Sequence, residues 1–191
     1  MMQPEQKVDP RILRTRKLIL DAFMTIAKTK DFASISIKDI TDAATVNRAT
    51  FYAHFADKYE LLDAVLTDTF FKNMHEHLNC HDRLNEDTVA NVFLAITRFQ
   101  KELSVQWKKS YESFRPIIEN KIKKDLEGLF YLLLTNQNLA VEKEKLKIWS
   151  VLLSWEIYGA CTDWQQNSTL PAEKYIKTAM PYILQGMAVL V

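Results

Sequence analysis

Apolar residues recur at helical spacing along nearly the whole chain. Between Pro10 and Lys28 the set Ile12, Ile19, Ala22, Phe23, Ile26 and Ala27 marks one stripe of a first helix. The next three helix starts share one local design. Ser36 can cap a helix with Asp39 three residues on, and Ile35 and Ile40 sit at the two staple positions. Asn47 caps the next, with Val46 and Phe51 as its staple, and Asp57 with Glu60 forms an acidic version of the same box. Helices are predicted over 37–44, 48–55 and 58–78. A polar stretch at 79–85 reads as a loop, and further helices follow at about 86–104, 107–114, 117–135, 143–166 and 171–190. Pro116 and Pro171 suit first-turn positions, whereas Pro181 lies inside the last periodic segment and should kink it.

The pattern is all-α. An N-terminal three-helix head is joined by a long helix to a C-terminal helical body, with the boundary at residues 1–66 and 67–191. Only about three residues around Thr45 separate the second and third helices, the mark of a helix-turn-helix.

Composition narrows the class. Of 191 residues, 48% are hydrophobic and 3 are Gly, which favours helices with short connections over disorder. No apolar run approaches the ~20 residues needed to span a bilayer, and the N-terminal stretch has no apolar signal region. Two distant cysteines form no disulfide framework. A cytoplasmic protein without membrane partners is expected. The net charge of +1 points to no partner. However, Arg11, Arg14, Arg16 and Lys17 crowd the first turns of the first helix, where the helix dipole disfavours cations. A polyanion would therefore meet local patches, not overall charge.

The short third helix carries the most chemistry. Phe51 and Phe55 share a face that packs inward, while Ala49, Thr50 and Ala53 leave the opposite face small, flanked by Tyr52 and His54, with Arg48 in the first turn. Eight residues of helix are roughly 12 Å long, close to the ~12 Å width of the B-DNA major groove. Small residues with hydrogen-bonding groups around them suit insertion end-first, N-terminal residues at base edges.

The segment ISIKDITDAATVNRATFYAHFADKYELL, and its core TFYxHFxxKxxLL (Thr50–Leu62) above all, resembles the DNA-binding head of the TetR family of bacterial transcriptional regulators. The resemblance covers roughly residues 11–66. It implies nine or ten helices, a homodimer, double-stranded operator DNA with imperfect palindromic symmetry, and a C-terminal domain in which a small-molecule effector controls operator affinity. It also implies DNA contacts by Ser36, Ile37, Lys38, Arg48, Ala49, Thr50, Tyr52, His54 and Lys58. Two positions depart from the family pattern: Thr45 and Asp31 stand where glycine is usual. Thr45 is therefore expected to carry a strained backbone.

In the body, Leu146, Trp149, Leu153, Ile157, Ala160, Cys161 and Trp164 form one stripe. Ala172, Ile176, Ala179, Ile183 and Met187 form another, widened by Tyr175, Met180 and Leu184. The resemblance assigns these last two helices to a four-helix dimer interface, with Leu153, Ile157, Ala160, Cys161, Trp164, Ile176, Ala179, Met180, Ile183 and Met187 as its residues; an intramolecular core is the alternative. Aromatics concentrated between 93 and 164 suggest an effector pocket drawn from Phe99, Trp107, Tyr111, Phe114, Trp155 and Tyr158. No cofactor is expected. His77, Cys80 and His81 could share a face and hold zinc, against the plainer reading of a solvated helix end.

The sequence lacks G-x-S-x-G, Walker, Rossmann and H-E-x-x-H patterns, which argues against an enzyme. The expected function is an effector-responsive repressor. An activator or protein-binding co-regulator of the same fold, and a metal-responsive regulator, are the alternatives.

Overall fold

The structure is a computed structural model describing residues 9–77 and 83–187, with side chains over 9–70 and 83–184. It is helical, with no strand among the described residues. The order is α1 (Pro10–Ala27), a 3-10 turn (Phe32–Ser34), α2 (Ile37–Ala44), α3 (Arg48–Tyr52), α4 (Lys58–His77), α5 (Glu86–Gln106), α6 (Tyr111–Asn136), α7 (Lys143–Asn167) and α8 (Ala172–Met187).

The local signals place the head helices where the sequence puts them. Asp9 accepts from the Arg11 N–H ahead of Pro10. Ser36 and Asp39 close a full capping box, the Asp39 N–H donating to Ser36 Oγ at 3.1 Å and the Ser36 N–H to Asp39 Oδ2 at 2.7 Å. The Thr50 N–H donates to Asn47 Oδ1 at 2.7 Å. At α4 the Tyr59 and Glu60 N–H groups both donate to Asp57 Oδ1. Glu60 returns its carboxylate one residue earlier than the box predicts, to the Ala56 N–H.

Thr45 takes the left-handed conformation, φ 54° and ψ 44°, and the Val46 N–H closes back on the Thr41 carbonyl at 3.0 Å. A β-branched residue strains this backbone, and the Thr45 side chain is exposed. Thr45→Gly is therefore expected to raise stability by up to about 1 kcal/mol and the melting temperature by about 2–4 °C in a thermal melt. Asp31 makes no such demand. Its φ is −63°, and its carboxylate caps the 3-10 turn through the Ala33 N–H.

The chain forms two compact units. One is the chain up to Leu66 together with Gln106–Phe114; the other is Thr67–Val105 with residues from Arg115 onward. In the first, Phe23, Phe32, Trp107 and Phe114 build one aromatic cluster. Ring centroids are 6.2 Å apart for Phe23–Phe32, 6.4 Å for Phe23–Trp107, 4.8 Å for Phe32–Phe114 and 5.3 Å for Trp107–Phe114. Ser110 Oγ ties the same segment to the Lys30 carbonyl at 2.9 Å. Gln106–Phe114, which the sequence places in the body, thus completes the head.

In place of the predicted pair 107–114 and 117–135 there is a turn over 107–110 and a single α6 from Tyr111, helical through Pro116. The last helix likewise runs through Pro181. The expected interface stripe is mostly core of its own chain. Leu153, Ile157 and Cys161 are 0% exposed, and Ile176, Met180 and Ile183 lie at 2%, 8% and 5%. Ala160, Trp164 and Ala179 are half-buried. The fully buried members leave a partner little to cover, whereas the half-buried Ala160, Trp164 and Ala179 keep some open surface. The more open apolar surface of α7 lies on its other side. Ile148, Leu152 and Trp155 are each more than half exposed at i, i+4 and i+7, and Gly159 follows one turn on, also exposed. Tyr182 is the exposed aromatic of α8. The side chain of Met187 lies outside the described residues, as do those of His77, Cys80 and His81.

Among the described residues no helix is long and apolar enough to cross a membrane.

Candidate nucleic-acid interface

The predicted reading helix is shorter than its pattern suggests. α3 ends at Tyr52, with Ala53 and His54 in a turn, so the regular helix is about 7 Å long. Phe51 at 0% and Phe55 at 1% exposure anchor it, their rings 5.9 Å apart. The Arg16 guanidinium lies 4.5 Å from the Phe55 centroid, so one member of the basic cluster on α1 helps to hold this anchor.

With Phe51 inward, Arg48, Ala49, Tyr52 and Ala53 face out together; all four are exposed. The Tyr52 ring stands edge-on to Phe51 at 5.5 Å, which orients its hydroxyl away from the core. Thr50 is half-buried. His54 has left the helix, is half-buried and sits beside Phe55 at 6.4 Å. The surface is therefore an Arg–Ala–Tyr–Ala face, and the threonine and histidine expected to flank it lie at its edge.

At the start of α2, Ser36 and Lys38 are exposed and Ile37 is half-buried. The Ser36 hydroxyl is engaged with Asp39, as donor to Oδ2 and acceptor from the backbone. Lys30 donates to the same Oδ2 at 2.7 Å. This Lys30 contact, with the Ser36 hydrogen bonds, holds the Asp39 carboxyl well below the usual carboxylate range. A depressed folded value contributes stability above the unfolded pKa of about 4, and that stability is lost as pH falls toward the folded value. Asp39→Asn should therefore flatten the acid limb of the stability–pH curve, measured by denaturant melts between pH 2 and 6.

Lys58 departs from expectation. Its ammonium points into the head and donates to the carbonyls of Phe32 (2.9 Å), Ile35 (2.9 Å) and Ala33 (3.4 Å), 4.5 Å from the Phe32 ring centroid. An ammonium has three donors, and all three are engaged with these carbonyls.

The residues expected to line an effector pocket are divided between the two units, Trp107, Tyr111 and Phe114 in the first and Phe99, Trp155 and Tyr158 in the second. Trp107 and Phe114 fill the head's aromatic cluster at 1% and 0% exposure. Phe99 is core against Phe70. Trp155 is exposed under the Lys123 ammonium, which lies 3.7 Å from its ring centroid and 5.5 Å from that of Tyr158. Tyr111 is half-buried. A cleft of about 480 Å³ lies instead along α5 and α8. Leu94, Ile176, Met180 and Leu184 give it apolar walls; Glu86, Asp87, Glu173 and Lys177 add charge. No sequence signal singled out these charged residues; Glu86, Asp87 and Glu173 look like ordinary solvated first-turn positions.

Residues 19–65 match the family model described as bacterial regulatory proteins, tetR family. The uncharacterized HTH-type transcriptional regulator YxbF of Bacillus subtilis (strain 168) is 42% identical over 65 residues, 34% of this chain and 17% of that protein. The HTH-type dhaKLM operon transcriptional activator DhaS of Lactococcus lactis subsp. lactis (strain IL1403) is 26% identical over 97 residues, 51% of this chain and 49% of that one. The matched segments thus span at most about half the length of these curated relatives. The fold is shared more widely. A TetR transcriptional regulator from Rhodococcus sp. RHA1 superposes with a TM-score of 0.61 at 20% identity, over 90% of this chain and 97% of its own. A dihydroxyacetone kinase operon activator DhaS does so at 0.57 and 17% identity, over 93% and 98%. These relatives are described as transcriptional regulators or operon activators.

Proposed function

We infer that this chain, whose head is that of the tetR family of bacterial regulatory proteins, is a dimeric transcriptional repressor that reads an operator through α3 and responds to a small-molecule effector in its body. One observation carries the DNA-reading part. A short helix anchored by two buried phenylalanines presents arginine and tyrosine on a face otherwise made of alanines, so the backbone can approach base edges closely. Lys38 and the free members of the α1 basic cluster, Arg11, Arg14 and Lys17, are exposed and supply charge for phosphates.

Selection from random double-stranded DNA tests this reading. A two-fold dimer should return an imperfect palindrome with half-site centres about one helical turn, or a simple multiple, apart. Affinity should fall steeply as salt rises, because phosphate contacts dominate the binding energy. Recovery of no enriched sequence would sink the proposal.

The dimer surface supported by the burial pattern is the open side of α7, Ile148, Leu152 and Trp155, and not the stripe already buried in the chain. Leu152→Glu with Trp155→Glu should convert the dimer to monomer in sedimentation equilibrium without loss of helicity. A dimer that persists in the double variant would rule this face out. The cleft along α5 and α8 is the place where a small amphipathic effector would fit, its apolar walls taking the body of the ligand and its charged groups fixing the head.

Activation is a second reading, favoured by the partial likeness to a protein described as an operon activator. Transcription from a promoter bearing the selected operator, with and without the protein, separates the two.

A further inference from the structure

We propose that Lys58 is a positioning residue for DNA recognition: it clamps the two ends of the helix-turn-helix together and acts through the backbone it holds, without touching phosphate. The recognition half of this proposal rests on the DNA-binding reading; the clamp itself does not.

The geometry starts from the link between α1 and α2. The chain passes through the 3-10 turn Phe32–Ser34 and leaves it extended at Ile35, φ −76° and ψ 119°. The Phe32 carbonyl accepts the turn's closing hydrogen bond from the Ile35 N–H at 3.1 Å, and a carbonyl oxygen has a second lone pair for another donor. The carbonyls of Phe32, Ala33 and Ile35 converge on one point, and the Lys58 ammonium occupies it. The same cation lies over the faces of Phe32 and Tyr59, 4.5 and 5.9 Å from their centroids. A lysine in the first turn of α4 faces an unfavourable helix dipole, and three carbonyl oxygens with two aromatic faces offset that.

What the clamp encloses gives it a function. Ile35 immediately precedes Ser36, the N-cap of α2, and Lys58 immediately follows Asp57, whose side chain caps α4. Between them lie α2, the strained turn at Thr45, and α3. The Lys58 side chain thus joins entry and exit of the whole reading element by hydrogen bonds spanning 23 to 26 residues of sequence. A five-residue helix cannot fix its own orientation. Phe51 and Phe55 hold one edge of α3, and the clamp holds the loop that carries it.

The experiment compares wild-type full-length chain with Lys58→Met and Lys58→Arg. Methionine keeps an unbranched stem over Phe32 but no donors. Arginine keeps the charge, but its planar fork cannot direct three donors from one nitrogen to one point. Without DNA, amide exchange within Ile37–Ala44 should speed up at least tenfold in Lys58→Met. With DNA, both variants should lose at least tenfold in affinity for the selected operator and less than twofold for unrelated duplex. The slope of log affinity against log salt should stay at the wild-type value, since no phosphate contact is lost. Slower binding to both duplexes, a slope reduced by about 0.9 in Lys58→Met, rescue by Lys58→Arg and unchanged exchange would together identify a phosphate contact and overturn the proposal. Unchanged exchange and unchanged operator affinity in both variants would overturn it too. If the wild type selects no operator, the DNA-binding reading fails, and the exchange measurement still decides whether the clamp exists.

Discussion

Trp107→Ala is expected to destabilise the head by about 3–5 kcal/mol, the usual cost of removing a large buried aromatic. That is a large share of the ~5–15 kcal/mol that holds a typical domain together. Trp107 lies more than forty residues beyond the head's own sequence, yet its ring is 1% exposed and packs edge-on against Phe23 of α1 and Phe114. Phe114 in turn covers Phe32, the residue whose carbonyl and ring receive Lys58. Truncating Trp107 should therefore loosen α1 and the 3-10 turn first. Urea melts should show a lower midpoint, and amide exchange should rise in α1 and α2 before it rises in α7. Trp107→Phe keeps a ring in the cluster and should recover most of the loss. The same argument predicts that a fragment ending at Leu66 will not hold α1 against α2, because two of its four clustered rings are missing. Unchanged protection of α1 in Trp107→Ala would refute this account of the head.

The head's helices were legible because their signals are local. Ser36 with Asp39, Asn47 with Thr50, and Asp57 with Glu60 each satisfy free N–H groups within four residues, so the sequence states where each helix begins. The left-handed Thr45 was legible for a different reason: the resembling family usually carries glycine at this position, and glycine there marks a positive φ. The rule failed at Pro116. Its local meaning is a helix start, but α6 begins five residues earlier, where Ser110 is held by the Lys30 carbonyl and Tyr111 and Phe114 take up the first turns. That boundary is set by a contact eighty residues away in sequence.

The body's faces were harder to read. α7 carries apolar residues on two sides, Leu153–Ile157–Cys161 and Ile148–Leu152–Trp155. Helical spacing singled out the first of these, missed the second, and cannot say whether the chain itself covers a stripe. Aromatic density misled in a similar way. Trp107 and Phe114 look like pocket material until the long-range closure that puts them beside Phe23 and Phe32 is known. The inward turn of Lys58 was not legible for a third reason: only the carbonyls of a turn 23 to 26 residues upstream draw its ammonium in.

Arg48→Ala should weaken binding to the selected operator by about 1–3 kcal/mol, roughly five- to a hundredfold or more, if the guanidinium holds a guanine edge. Arg48 is the first residue of α3 and is exposed, and its guanidinium makes no hydrogen bond or ion pair with the described residues. Its removal should therefore leave the melting temperature unchanged, which separates a contact residue from a structural one. Discrimination should relax at one base pair per half-site, because a bidentate base contact is lost there and nowhere else. Tyr52→Phe is the companion measurement. The ring stays edge-on to Phe51, only the hydroxyl goes, and affinity should fall by a similar factor on every sequence, as expected for a phosphate ligand. The two variants thus predict different patterns from adjacent positions on one face: a sequence-dependent loss for Arg48 and a uniform loss for Tyr52. Operator binding that survives both substitutions, or a melting temperature that drops in either, would mean that this face of α3 is not what meets DNA.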